Sequence, residues 1–183
     1  MESAPSQPAA IAPWQQPDKI RLVCQMAASF QALVGQPLCG ISIKDAAELS
    51  GDPDLTSPAA TSAAATIYRS AEAVLCHDTA ADPCFIYANR RALWLWELAW
   101  EEMIGLPSRI SAEPDHRQAR AAMLEQAARN GYISDYGGVR ISGSGQRFRI
   151  EAVTIWNVSD ADGAIVGQAA YIPTWRRLNG LGA

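Results

Sequence analysis

The chain has 183 residues, enough to bury a substantial core in one domain. Apolar residues make up 49% of it and charged residues 19%, which excludes a wholly disordered or fibrous protein. With 15 basic and 19 acidic side chains the net charge is −4, so we expect no nucleic-acid partner. The apolar runs are far shorter than the roughly 20 residues of a membrane span, so we expect no membrane partner either.

The N-terminal third predicts a helix joined to the rest of the chain by a linker. Residues 1–17 are rich in Pro, Ala, Ser and Gln and read as a disordered tail. From residue 18 an apolar residue recurs every three or four positions up to Val34, which predicts an amphipathic helix that Gly35 ends. Residues 51–60 are predicted to be a loop and residues 61–73 a second helix. We therefore assign residues 18–72 to a helical extension with its linker.

The middle of the chain predicts two strands followed by helices. Two short apolar runs, at 73–77 and 83–88, are separated by a polar turn and predict a strand pair. Asn89 is a suitable N-cap for a helix over 90–104, and the pattern after residue 114 predicts a helix over 115–130. Trp94 and Leu98 fall off the main apolar face of the 90–104 helix. Either this helix breaks near Glu97 or another surface covers the two side chains.

The C-terminal third predicts three strands, at 132–141, 147–158 and 164–172. Alternation in the middle strand places Phe148, Ile150 and Trp156 on one face of a sheet. The predicted fold is α+β, with a five-stranded antiparallel sheet covered by helices. Its core spans residues 73–173, and residues 174–183 form a short C-terminal tail.

Several motifs in order resemble those of the MEKHLA domain, from about residue 20 to residue 172. They read D-P-C-F-I-Y-A-N-R-R-A-L at 82–93, L-P-S-R-I-S-A-E-P at 106–114, Y-G-G-V-R-I-S-G-S-G-Q-R-F-R-I at 136–150, W-N at 156–157 and G-Q-A-A at 167–170. The chain departs from the family at 76–78, where Cys-His-Asp stands in place of Ser-His-Gly. With no homeodomain or zipper, it resembles the stand-alone bacterial type. The resemblance implies a PAS-like fold of order β-β-α-α-α-β-β-β and a sensory or interaction role, with any ligand held between sheet and helices.

The expected ligand site is a mostly apolar cavity with a few polar contacts. Its candidate residues are Phe85, Tyr87, Asn89, Trp96, Arg109, Ile110, Met123, Trp156 and Gln168. A second group, Arg140, Arg147 and Arg149, lies on one hairpin. It is either an anion-binding cluster or a solvated strand face paired with Glu151.

A non-catalytic module without an output domain must signal through protein–protein contact, so we expect a protein partner or a homodimer. The stripe of the N-terminal helix must dock on its own core or on a second copy. The candidate interface residues are Ile20, Val23, Phe30, Trp94 and Leu98.

Two other functions stay open at this point. One is a small enzyme that uses His77 with Asp78 or Asp82 as an acid–base pair. The other is a haem or metal protein with ligands among Cys76, Cys84, His77 and His116, although their spacing matches no closed zinc site. A flavin photosensor of the LOV kind needs a cysteine in segment 106–114, which has none. We therefore expect no metal and no cofactor, and reduced cysteines suit a cytoplasmic protein.

Overall fold

A computed structural model describes residues 11–111 and 131–178 of the chain, without the side chain of Ile43. The predicted helix over 115–130 lies outside these residues. The helices of the described part are α1 (Pro17–Val34), α2 (Ile43–Glu48), α3 (Pro58–Arg69), α4 (Arg90–Trp96) and α5 (Trp100–Met103). None of them is long and apolar enough to cross a membrane.

Helix α1 confirms the amphipathic helix predicted from the sequence. Pro17 occupies its first turn, where the missing backbone N–H costs no hydrogen bond, and Asp18 lies in that turn rather than at the N-cap. Gly35 ends the helix in the left-handed conformation at φ 76°. Helix α2, which the hydrophobic pattern does not predict, starts at a Ser42 cap whose side chain accepts a hydrogen bond from the Asp45 amide.

The predicted 90–104 helix does break near Glu97. Asn89 caps α4, and Glu97 ends it with a left-handed φ of 55°. The chain then resumes as α5 in a new direction. This break separates Leu98 from Trp94, so the two side chains no longer share one helix face.

The described strands form one antiparallel sheet of six strands. They are β1 (Ala73–His77), β2 (Phe85–Ala88), β3 (Tyr132–Ile141), β4 (Arg147–Ser159), β5 (Ile165–Ile172) and β6 (Thr174–Arg177), in the order β2-β1-β5-β4-β3. The five predicted strands are confirmed. The sixth, β6, follows Pro173 and pairs with the first half of β4, where the sequence predicts only a tail.

Bulges in the sheet reverse which side chains face which layer. In β4 the register against β3 gains one residue between Ile150 and Val153, and Ala152 adopts a positive φ of 53°. A similar register shift against β1 makes Ile86 the extra residue of β2. The strict alternation predicted for β4 is therefore wrong beyond Ala152, because each extra residue moves the following side chains to the opposite face.

The two faces of the sheet carry two separate cores. One, which we call the α1 face, includes Val74, Tyr87 and Trp156 and packs against α1 and α3. The other, the α4 face, includes Leu75 and Phe85 and packs against α4 and α5. The sheet is thus buried on both sides, and the PAS-like core carries the N-terminal extension on its outer face.

Candidate functional site

A cavity of about 50 Å³ lies on the α4 face, between the sheet and the helical layer. A volume of this size holds roughly four water-sized groups. Most of its wall is apolar, formed by Leu75, Phe85, Ile150, Val153, Ile155 and Ile172.

Polar groups from five separate segments also line this cavity. They are His77 from β1, Trp96 from α4, Ser111 from the turn after α5, Tyr136 and Arg140 from β3, and Gln168 from β5. An apolar cleft with a few convergent polar groups is the usual form of a small-molecule site.

Arg140 is the charged group of the cavity, and its side chain is only 6% exposed. It folds back along β3, so that Nη2 donates to the Tyr136 hydroxyl at 2.8 Å and Nη1 donates to the Val139 carbonyl at 2.9 Å. Gly138 lies beneath the guanidinium, since a Cβ there would come within 2.9 Å of Nη1 and 3.0 Å of the Tyr136 oxygen. The glycine therefore makes the room that this conformation of Arg140 requires.

Trp96 and Gln168 add two further polar groups. The Trp96 indole is 2% exposed and packs edge-on to Phe148 at 5.0 Å, and its Nε1 donor finds no acceptor among the described residues. Gln168 Nε2 donates to Asn157 Oδ1 at 3.2 Å, which fixes the amide at the cavity wall.

Three of the predicted ligand residues, Phe85, Trp96 and Gln168, line the cavity. Tyr87 and Trp156 lie on the α1 face instead, because the bulges at Ile86 and Ala152 turn them away from the cavity. Tyr87 packs edge-on against Trp100 at 5.8 Å. Burial raises the pKa of its hydroxyl, so the phenol is neutral.

The other predicted ligand residues are used elsewhere or lie outside the described chain. Arg109 is exposed and forms a two-pronged ion pair with Asp82, at 2.9 and 3.1 Å, while Ile110 is 48% exposed. The side-chain amide of Asn89 is hydrogen-bonded to backbone groups, which leaves it no role at the cavity wall. Met123 lies outside the described residues.

The arginine cluster divides between the two interpretations that the sequence leaves open. Arg149 lies on an exposed strand face and pairs with Glu151 at 3.2 Å, as expected for a solvated pair. Arg140 is buried in the cavity. Arg147 is exposed at the start of β4. Only Arg140 is therefore placed to meet a ligand in the cavity.

The carboxylates considered as partners of His77 are engaged elsewhere. Asp82 pairs with Arg109, and Asp78 Oδ1 accepts hydrogen bonds from the Ala80 and Cys84 amides at 3.2 and 3.0 Å. His77 Nδ1 instead lies 2.7 Å from the Asp78 carbonyl oxygen. The described contacts thus assemble no carboxylate–histidine pair.

The cysteines are free thiols, and all four lie in the described part of the chain. Burial raises the pKa of Cys24 and that of Cys39 to about 11, and it raises the pKa of Cys76 further still. Neutral thiols are poor nucleophiles and metal ligands. Within residues 11–111 and 131–178, no three His, Cys, Asp or Glu side chains cluster closely enough to hold a metal ion.

Of the predicted interface residues, three are covered by the protein's own sheet. Ile20, Val23 and Phe30 are buried beneath α1 in the core of the α1 face. Leu98 is half-buried against the β3–β4 hairpin, where a Cβ on Gly143 would lie 2.7 Å from its Cδ2. Trp94 alone stays on the surface, with 48% of its side chain exposed.

Comparison with known proteins supports the fold. The sequence profile of the MEKHLA domain matches residues 20–177. The PAS domain of a Colwellia psychrerythraea protein superposes with a TM-score of 0.56 at 17% identity, covering 64% of this chain and 95% of that one. The Rhodobacter sphaeroides LOV protein gives 0.51 at 17%, covering 64% and 65%. A LOV domain studied with a flavin analogue gives 0.51 at 14%, covering 68% and 87%. Comparison with curated proteins finds no match.

The cavity does not fit a flavin, the kind of molecule with which the last of these LOV domains was studied. Roughly four water-sized groups fill 50 Å³, whereas a flavin has three fused rings and a long side chain. Two cavity features are absent from the sequence prediction, Tyr136 and the glycine under Arg140. The signal that could have found them is their spacing, since Tyr136, Gly138 and Arg140 alternate along one strand.

Proposed function

Since the chain belongs to the MEKHLA domain family and has a PAS-like sensory fold, we propose that it is a non-catalytic module that binds a small ligand and signals by protein–protein contact. The observation that carries this proposal is the cavity on the α4 face. Its apolar wall supplies burial for a ligand, and its few polar groups supply orientation.

A non-catalytic role is supported by the surroundings of the cavity. A general base needs a proton acceptor within hydrogen-bond reach of the substrate, and a nucleophile needs an activating partner. The carboxylates near His77 are occupied by Arg109 and by backbone amides, and burial keeps Cys76 a neutral thiol. The polar groups that line the cavity are suited to binding.

The signal has a short path to the other side of the sheet. Strand β5 presents Gln168 and Ala170 to the cavity, while Ala169 and Tyr171 pack on the α1 face. A ligand that shifts β5 therefore also shifts the surface on which α1 docks. We expect this helix to relay ligand binding to the partner.

Replacing Ala170 with leucine is expected to remove the response to a ligand. The added side chain enters a cavity that has room for only roughly four water-sized groups. Thermal unfolding against a panel of small metabolites should show at least one that raises the Tm of the wild type and leaves the variant unchanged. Native mass spectrometry of the purified protein checks for a ligand retained from the host.

The matched control is Ala161→Leu, in the exposed turn between β4 and β5. It adds the same side chain outside the cavity and should respond like the wild type. A panel without any stabilising compound, and no retained ligand, would contradict the proposed function. So would a compound that stabilises the Ala170→Leu variant as much as the wild type.

The second testable part of the proposal is self-association through the surface around Trp94. Trp94 packs against Trp175 with ring centroids 5.3 Å apart, and the guanidiniums of Arg91 and Arg177 lie 5.2 and 5.7 Å from its ring. Sedimentation velocity at micromolar concentrations should show a dimer for the wild type, and Trp94→Ala should shift it toward monomer. A wild-type monomer at every concentration would remove the dimer from the proposal, leaving a different protein as partner.

A further inference from the structure

We propose that the cavity binds a short-chain monocarboxylate, with the Arg140 guanidinium as the counter-ion of its carboxylate. This inference rests on the proposed function and names the chemical class of the ligand. The groups that carry it are Arg140, Trp96 and Gly138.

Arg140 is a buried cation with neutral partners. Among the described residues it donates to the Tyr136 hydroxyl and the Val139 carbonyl, and no carboxylate of those residues pairs with it. A guanidinium has five N–H donors, so these two bonds leave three. Burying a charge without a counter-charge costs free energy, and a bound anion offsets that cost.

Trp96 points independently to the same kind of ligand. Its indole N–H is buried at the wall of the same cavity, without an acceptor among the described residues. A buried donor without an acceptor is rare in proteins and is costly. Two sets of unused donors in one cavity call for a group that only accepts hydrogen bonds, and an ionised carboxylate is such a group.

The size and walls of the cavity narrow the choice of anion. A single guanidinium balances a single negative charge, which favours a monocarboxylate over a phosphate dianion. The apolar wall suits a short alkyl chain, for which Ile150, Val153 and Ile155 are the neighbours. Room for roughly four water-sized groups corresponds to acids from acetate to butyrate.

The experiment compares propionate with propionamide, its neutral isostere, at constant ionic strength set with sodium chloride. Thermal unfolding and isothermal titration calorimetry should show saturable stabilisation and binding by propionate, and none by propionamide. Arg140→Met should weaken propionate binding roughly 100-fold, because a charge-assisted two-pronged contact is lost. Without propionate this variant should have a Tm equal to or above that of the wild type, since it removes a buried unpaired charge.

Two further variants separate the position of the charge from its presence. Arg149→Met removes an exposed arginine from the same hairpin and should bind propionate normally. Gly138→Ala keeps Arg140 but places a methyl group against its Nη1, so it should weaken binding while the protein folds. The Gly138→Ala variant therefore tests the proposal even if Arg140→Met does not fold.

The outcomes distinguish this proposal from the broader one. Propionamide binding as well as propionate, or Gly138→Ala and Arg140→Met both binding propionate normally, would overturn the carboxylate assignment. If a neutral compound then stabilised the wild type but not Ala170→Leu, the ligand-binding function would stand without it. If no small molecule gave a response that Ala170→Leu removed, both proposals would fall.

Discussion

Replacing Asn89 with alanine is expected to lower the free energy of unfolding by about 3–5 kcal/mol, because it leaves several buried backbone groups without partners. Asn89 Oδ1 accepts from the Val74 amide at 3.0 Å and from the Ala92 amide at 2.9 Å. Its Nδ2 donates to the Ile67 carbonyl at 3.0 Å and to the Glu72 carbonyl at 2.8 Å. The side chain thereby ties the end of α3 and the start of β1 to the start of α4. Chemical denaturation followed by circular dichroism measures the loss.

Ser57→Ala is the matched control for this prediction. Ser57 also caps a helix, but its side chain accepts one bond, from the Ala60 amide, so its loss should cost about 1 kcal/mol. A small effect at Asn89, close to that at Ser57, would mean that the amide acts only as a cap. It would also return Asn89 to the candidate ligand residues, since its hydrogen bonds would then be dispensable.

The sequence predicts the order of the elements well because periodicity reports burial directly. The stripe of α1, its end at Gly35 and the break near Glu97 all follow from which residues are apolar and where glycine or a misplaced aromatic stands. The faces of the sheet are harder. Ala152 adopts a left-handed φ without being a glycine, and Ile86 looks like any strand residue. Neither residue type indicates a bulge, and for this reason alternation alone places Tyr87 and Trp156 on the wrong face.

The candidate site is predictable in part for a related reason. Phe85, Trp96 and Gln168 are close in space only through long-range pairing, yet the resemblance to a PAS fold places their segments around one cavity. The sequence groups Arg140 with Arg147 and Arg149 because all three lie on one hairpin. Their different environments depend on the strand face and on the space above Gly138, and a charge pattern carries no information on either.

Replacing Trp156 with alanine is expected to cost about 3–5 kcal/mol of stability and to loosen α1 from the sheet. Trp156 is fully buried, packs edge-on against Phe30 at 4.8 Å and donates its indole N–H to the Met26 carbonyl at 3.2 Å. It is therefore the largest side chain of the α1 face that joins the extension to β4. Hydrogen–deuterium exchange should show faster exchange of the α1 amides than of the β4 and β5 amides.

Phe148→Ala is the control, because it removes a buried aromatic from the same strand on the opposite face, where it packs against Trp96. Its global loss of stability should be similar, but the α1 amides should stay as protected as the rest of the sheet. Equal exchange patterns in the two variants would mean that α1 and the sheet unfold as one unit. The relay from cavity to α1 requires the opposite, a helix that can move while the sheet stays folded. Specific loosening of α1 by Trp156→Ala would show that the extension has the independence that a relay needs.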